Sequence, residues 1–332
     1  MKISILLPVY NVENYIERCV RSIFGQTYPD IEYVFVDDCS PDSSIAVVER
    51  VVADYPQREK QIKIVKHDCN QGVACSRNTA LNNATGDYVM WVDPDDYIDV
   101  RFIEKLVEKQ QEKNADVVIG GYETLYLSGN IPHPVKKVAT PSDYLHLVLQ
   151  RKVNTALWGK IWRRSIYESN NIRFIPGCNL DEDGHLSARY LYNSNVIDFV
   201  DVIGYFYDCS RADNSGNGSF NEKKYQKAWF LYDDLCLFFN EKEKLFLDDL
   251  GYWKAKLLAA TLINSAKDGK KKDFFYSCRE KRLDKKDKAY WRCIGLPRRF
   301  AFYIRNYSIN RSYYMSMAWV KHFILRQNVT AN

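Results

Sequence analysis

No stretch of this 332-residue chain approaches 18 uninterrupted apolar residues, so a bilayer-spanning helix is not expected. The chain opens Met1-Lys2-Ile3-Ser4-Ile5 as a strand, without a charged-then-apolar leader, and a cytoplasmic setting is expected. Nine cysteines are present, yet they form no Cys-x-x-Cys pair and no paired spacing. An odd, scattered set fits reduced thiols and argues against a zinc centre or a disulfide framework. Glycine-rich phosphate loops are missing as well. The G-x-G-x-x-G run of a dinucleotide oxidoreductase does not follow the first strand. Residues 9–17 hold neither glycine nor lysine, which argues against the basic loop of a nucleotidyltransferase. No internal repeat is visible.

What is present is ordinary for a folded protein, at 46% hydrophobic and 27% charged residues. The net charge of +5 hides an asymmetry. Residues 267–332 hold 17 Lys/Arg against 5 Asp/Glu, a net +12, which leaves −7 for the rest of the chain. A basic tail on an acidic body suggests that the tail faces something anionic.

The first half alternates strand and helix signals. Strands are expected at 3–9, 31–36, 62–65, 88–92 and 116–120. Helices are expected at 12–24, 43–55, 73–83 and 101–113, the second opened by Ser40-Pro41-Asp42 as capping chemistry. This alternation implies an α/β fold with a mostly parallel sheet and right-handed crossovers. Beyond Gly121 the pattern loosens. Residues 128–141 read as a loop, 144–151 as a helix, and 208–219 as a mobile loop. From Glu222 onward helical periodicity returns without strand signals.

Carboxylates directly follow apolar runs at Val34-Phe35-Val36-Asp37-Asp38 and at Trp91-Val92-Asp93-Pro94-Asp95-Asp96. Strand ends of this kind are where ligands collect in open α/β sheets. Asp38 can accept a hydrogen bond from a base imide or a ribose hydroxyl, and Tyr10 can stack on a base. Asp93 and Asp95 can share one Mg²⁺ or Mn²⁺ that also holds a diphosphate, because hard cations take oxygen ligands. Alone, an Asp-x-Asp pair is more often a surface turn or a cap, but a buried strand leads into this one. Asn70-Gln71-Gly72 most simply starts a helix, and Arg77 one turn on can serve a phosphate or an acidic neighbour equally well.

In order, Pro8-Val9-Tyr10-Asn11, Asp37-Asp38-Cys39-Ser40, Asn70-Gln71-Gly72 with Arg77-Asn78, Gly86-Asp87-Tyr88 and Asp93-Pro94-Asp95-Asp96 resemble the family-2 glycosyltransferases, over roughly residues 1–215. The resemblance implies a GT-A (Rossmann-like) fold flanked by helices, with a C-terminal helical basic extension, and an inverting enzyme of bacterial surface-polysaccharide type. It implies a nucleotide-sugar donor, most often a UDP-sugar, with Pro8 and Tyr10 lining the base pocket and Asp38 on the base. Arg77 and Asp93 complete the nucleotide contacts, and Asp95, helped by Asp93, carries the metal. The family's catalytic base maps to Leu180-Asp181-Glu182-Asp183-Gly184, and Asp183 is assigned as base. By itself this segment also reads as a solvated acidic turn. Acceptor or lid roles are expected for Asp96, Trp158, Glu182 and Arg211. Asp208 departs from the family, standing where a basic residue is usual, and Arg211 is the nearest substitute.

The expected organisation is a glycosyltransferase domain over 1–218, with a nucleotide-binding half at 1–97 and an acceptor-binding half at 98–218. A helical region rich in basic and aromatic residues follows at 219–332. In that tail Arg298-Arg299-Phe300, Tyr303-Ile304-Arg305, Tyr307, Arg311, Tyr313-Tyr314 and Trp319 interleave cations with aromatics. An anionic membrane surface on the inner face of the cell membrane, serving a lipid-linked saccharide acceptor, is one reading. A helical cap on the catalytic body is another. Nucleic acid is not expected, since no binding motif for it is present. A nucleotidyltransferase and a non-catalytic sugar-nucleotide-binding scaffold stay open as rivals.

Overall fold

The computed structural model describes residues 1–210, 221–268, 271–282, 290 and 307–315. The chain divides into two compact units: Met1–Val148 with Lys152–Asn214, and Leu149–Arg151 with Ser215–Asn332.

The first unit carries one sheet in the order β3-β2-β1-β4-β8-β6-β9-β5, with β7 paired to β6. Its first half is parallel. β1 (Ile3–Val9) lies between β2 (Ile31–Asp37) and β4 (Tyr88–Trp91), and β3 (Ile62–Lys66) pairs with β2. β1, β2 and β4 are largely apolar and buried because both faces of the sheet are covered there, whereas the edge strand β3 is half-buried and carries Lys63 and Lys66. The helix α1 (Ile16–Phe24) buries Ile16, Cys19, Val20, Ile23 and Phe24 on one face. It begins four residues later than the periodicity from Val12 predicts. Asn11 takes a left-handed backbone conformation (φ 54°). The N–H groups of Asn11, Val12 and Glu13 donate to Ser40, Ser44 and Asp42 side chains instead of entering a helix. α2 (Ser44–Val52), α3 (Val73–Asn83) and α4 (Phe102–Lys113) complete the alternation.

The second half of the sheet is mixed. β6 (Val117–Leu125) is parallel to β9 (Ile197–Asp208), whereas β8 (Lys160–Arg163) runs antiparallel between β4 and β6. The short strands β5 (Tyr97–Ile98) and β7 (Ile131–His133) also join antiparallel, β7 within the segment expected to be all loop. Helices α5 (Pro141–Leu149), α6 (Arg164–Ser169) and α7 (Glu182–Tyr192) occupy the connections.

The second unit is helical: α8 (Glu222–Lys242), α9 (Leu247–Asp268), α10 (Lys272–Arg282) and a helical stretch over 307–315. Asn221 caps α8, its side chain accepting from Lys224 N–H at 3.1 Å. Arg282 makes a two-pronged pair with Asp233 at 2.5 and 2.7 Å while its guanidinium covers Trp229. Of the tail aromatics, Tyr307 and Tyr314 are buried, Tyr307 against Phe275. Arg298, Arg299, Phe300, Tyr303, Arg305 and Trp319 lie outside the described residues. No helix among the described residues is long and apolar enough to cross a membrane.

Candidate functional site

The motif residues meet at the C-terminal ends of β1, β2 and β4, where parallel strands leave a crevice. Pro8 lies in the last turn of β1, and Tyr10 just beyond it is 46% exposed, available as a flat surface. Asp38 follows β2 and is buried. Its Oδ1 accepts from Gln71 N–H at 2.8 Å and meets His67 Nδ1 at 2.8 Å, and its Oδ2 accepts from Gly72 N–H at 2.8 Å. Asp38 therefore holds the Asn70-Gln71-Gly72 loop in place. Gly72 itself sits at φ 85°, which a side chain would resist.

That loop starts α3, and one turn on Arg77 enters the interior. Its Nη1 pairs with Asp183 Oδ1 at 2.5 Å and Glu182 Oε1 at 3.3 Å, and its Nη2 with Asp93 Oδ1 at 3.4 Å. The guanidinium also lies over the Phe174 ring at 5.4 Å. Of the two roles open to Arg77, the structure gives it the ion pair. A single buried cation joins the strand-end carboxylate to the α7 carboxylates.

Asp93 is held from behind. Its N–H donates to Tyr205 Oη at 3.2 Å, and Tyr205 Oη donates to Asp96 Oδ2 at 2.7 Å. Asp96 Oδ1 accepts Asp208 N–H at 2.9 Å. With 0% exposure, Asp96 anchors the turn from inside. Its carboxyl is pushed well above the usual range by burial and by the charges of Asp95 and Asp93. The Trp158 ring is buried, stacked on Tyr205 at 4.4 Å and 2° and edge-on to Tyr122, a wall beneath the site. Arg211 lies outside the described residues.

Asp183 and Glu182 form the first turn of α7, where the helix dipole favours negative charge. Their side chains are 22% and 14% exposed. Burial raises the Asp183 carboxyl, opposed by Arg77, Lys160 and the nearby Leu157 backbone. Burial and the Asp183 charge push Glu182 up to about 7, with Arg77 opposing. Between its ordinary 4.5 and about 7 the folded chain thus binds more protons at Glu182 than the unfolded chain does. Stability contributed there falls as pH rises through that window. The expected result is a Tm, without nucleotide or metal, that declines from pH 5 to 7. Glu182→Gln flattens the part due to Glu182; thermal melts of both proteins across this window check it.

Several residues here escaped the sequence reading. Arg18 on α1 donates to Asp95 O at 3.2 Å, pairs with Asp208 Oδ2 at 2.5 Å and covers Tyr97 at 4.5 Å. It supplies the cation that Asp208 made conspicuous, from 190 residues away. Lys160 is buried near Asp183, and His67 bridges Asp38 to Thr79. No local signal marks any of the three.

Among the described residues no cluster of three or more metal-type side chains exists. Asp93 and Asp95 still suit a divalent cation, because Mg²⁺ takes one or two carboxylates and completes its shell with water and substrate phosphates. Asp93 Oδ1 gives Arg77 only a long contact, and its side chain is 28% exposed.

A family model described as Glycosyl transferase family 2 matches residues 4–173. Glycosyltransferase GlyA of Streptococcus pneumoniae is 33% identical over 209 residues, covering 59% of this chain and 29% of GlyA. The uncharacterized glycosyltransferase EpsJ of Bacillus subtilis is 28% identical over 212 residues, covering 62% of this chain and 60% of EpsJ. The chain thus spans less than two thirds of either relative. Among solved structures, Staphylococcus aureus TarS 1–349 in complex with UDP-GlcNAc superposes with a TM-score of 0.62 at 20% identity, covering 91% of each chain, which shows the fold.

Proposed function

This chain belongs to glycosyl transferase family 2, and from that premise we propose that it is an inverting transferase moving a sugar from a UDP-sugar to a saccharide hydroxyl. The observation that carries this is the Arg77 bridge, which ties the strand-end carboxylate Asp93 to the α7 carboxylate Asp183. One side of that bridge suits the donor diphosphate and the other suits the acceptor. Tyr10, exposed beyond β1, suits a stacked base, and Asp38 shapes the loop beside it.

The proposed reaction is a single displacement. Asp183, paired with Arg77 and so kept able to accept a proton, takes it from the acceptor hydroxyl. The oxygen forms its bond to the anomeric carbon as the bond to the diphosphate breaks, with attack opposite the leaving group. Asp95, with Asp93, would hold Mg²⁺ or Mn²⁺, which when bound neutralises the charge of the departing nucleoside diphosphate. The division into a nucleotide-binding half at 1–97 and an acceptor-binding half at 98–218 belongs to the same proposal. Asp183 comes from the second half and Asp93 from the first. Supporting a lipid-linked acceptor at the inner face of the cell membrane, in surface-polysaccharide synthesis, is the +12 charge over residues 267–332.

Calorimetric titration of UDP, GDP and CDP, each with and without Mn²⁺, tests the donor side. UDP is expected to bind with Mn²⁺, and Asp95→Ala to weaken that binding at least about tenfold, the cost of one lost charged ligand. Failure of every nucleotide to bind sinks the proposal.

A further inference from the structure

Lysine ammonium groups are almost never buried without a carboxylate partner. Lys160, opening β8, is 5% exposed, and no carboxylate among the described residues lies within ion-pair distance of it. Its Nζ donates to Ala156 O and, at 3.3 Å, to Trp158 O. The indole rings of Trp158 and Trp162 lie 6.0 and 5.8 Å from it. A buried charge costs free energy, and here two carbonyl dipoles and two ring faces offset it. The carbonyls reach it from the irregular segment that leads into β8.

The same segment reaches the site in two directions. The Leu157 backbone lies beside the Asp183 carboxyl and counters its burial-driven rise, and Leu157 O accepts from Trp162 Nε1 at 2.9 Å. Trp158 bridges Trp91, two residues before Asp93, and stacks on Tyr205, whose hydroxyl holds Asp93 N–H. We propose that Lys160 is a positioning residue for transfer: its buried ammonium pins the 156–158 segment that stacks Trp158 on Tyr205 and lays Leu157 beside Asp183. This rests on the transferase reading, with Asp183 as base.

A pH dependence follows. Burial draws the Lys160 amine down to about 8, with Asp183 opposing. The charged groups facing it are Asp183 with Glu182 on α7, and beyond them Arg77 of α3 and Asp93. From β9, Tyr205 lies behind the Trp158 ring, and from β6 the residue opposite is Ile119. The ammonium is therefore present below pH 8 and lost above it. Its pull on the segment and on Asp183 weakens together with it.

The test compares wild type with Lys160→Met for transfer kinetics and UDP calorimetry between pH 7 and 9.5. Wild-type kcat is expected to fall as pH rises through about 8. In Lys160→Met, kcat is about 10- to 100-fold lower, as for a misplaced catalytic group, and shows no such fall. UDP affinity falls far less than kcat, since Lys160 reaches Asp93 only through Trp158 and Tyr205. A kcat near wild type, or an alkaline fall that persists in the variant, overturns the proposal. Should Lys160→Met not fold, Lys160→Arg carries the test, because its charge does not titrate and the fall must vanish. If wild type transfers no sugar at all, the transferase reading fails instead. A crystal structure of Lys160→Met then decides, by loss or retention of the Trp158–Tyr205 stack.

Discussion

Asp183→Asn is expected to lower kcat for transfer by about 10²–10⁴-fold, the usual worth of a general base, while UDP affinity stays close to wild type. Asparagine keeps the shape and can still accept from Arg77, so the fold and the donor side persist. What disappears is a group able to take the acceptor proton. Glu182→Gln is the control. Glu182 meets Arg77 at the longer 3.3 Å and, raised to about 7, holds its proton over much of the neutral range. A small loss in Glu182→Gln beside a large one in Asp183→Asn assigns the base. The reverse order moves the role to Glu182, and comparable small losses remove the carboxylate pair from the chemistry. Transfer kinetics with calorimetry on the same preparations read all three outcomes.

The second large effect is on stability. Arg77→Met is expected to cost about 3–5 kcal/mol, the range for removing one partner of a buried ionic cluster. Asp93, Asp183 and Glu182 would then face one another without the cation that now lies between them. Repulsion and burial would raise their carboxyls further, and protonation would relieve the strain. The penalty should therefore shrink as pH falls from 7 towards 5. Urea unfolding of wild type and variant at both pH values measures it. A loss below about 1 kcal/mol, typical of a surface pair, would mean that the bridge contributes little. Arg77→Lys should fall between, since one ammonium cannot reach both sides as a planar guanidinium does.

Much of the first unit is legible locally. Ile3–Val9, Ile31–Asp37 and Tyr88–Trp91 are apolar runs ended by turn chemistry, and a parallel strand covered on both faces needs nothing else. α3 starts and stops at Val73 and Asn83 as its pattern predicts, since Gly72 and the Asp38 anchor set its beginning. The second half is harder to read because its strands break the rule. β8 is four residues long and starts on a lysine, and β9 carries Asp198, Asp201 and Gly204 within it. Each irregularity is compensated from elsewhere: Asp198 by Lys113 at 3.3 Å, and Gly204 by the Phe102 ring filling the space a Cβ would need.

The candidate site divides the same way. Asp38, Asp93 and Asp95 could be named from the sequence, because a carboxylate just after a buried strand has a local signature, whereas Asp183 is named only through the family resemblance. Their roles could not all be assigned that way. Asp96 and Trp158 are buried, Asp96 against Tyr205 and Asp208 and Trp158 on Tyr205, contacts that no local pattern reveals. Arg77 meets Asp183 across 106 residues, and Arg18 meets Asp208 across 190. The sequence alone determines where strands end and which carboxylates stand at those ends, since backbone pattern and hydrophobic period act over a few residues. Only the tertiary structure decides which charges share a buried space, because pairing and desolvation depend on what packs against them from distant segments.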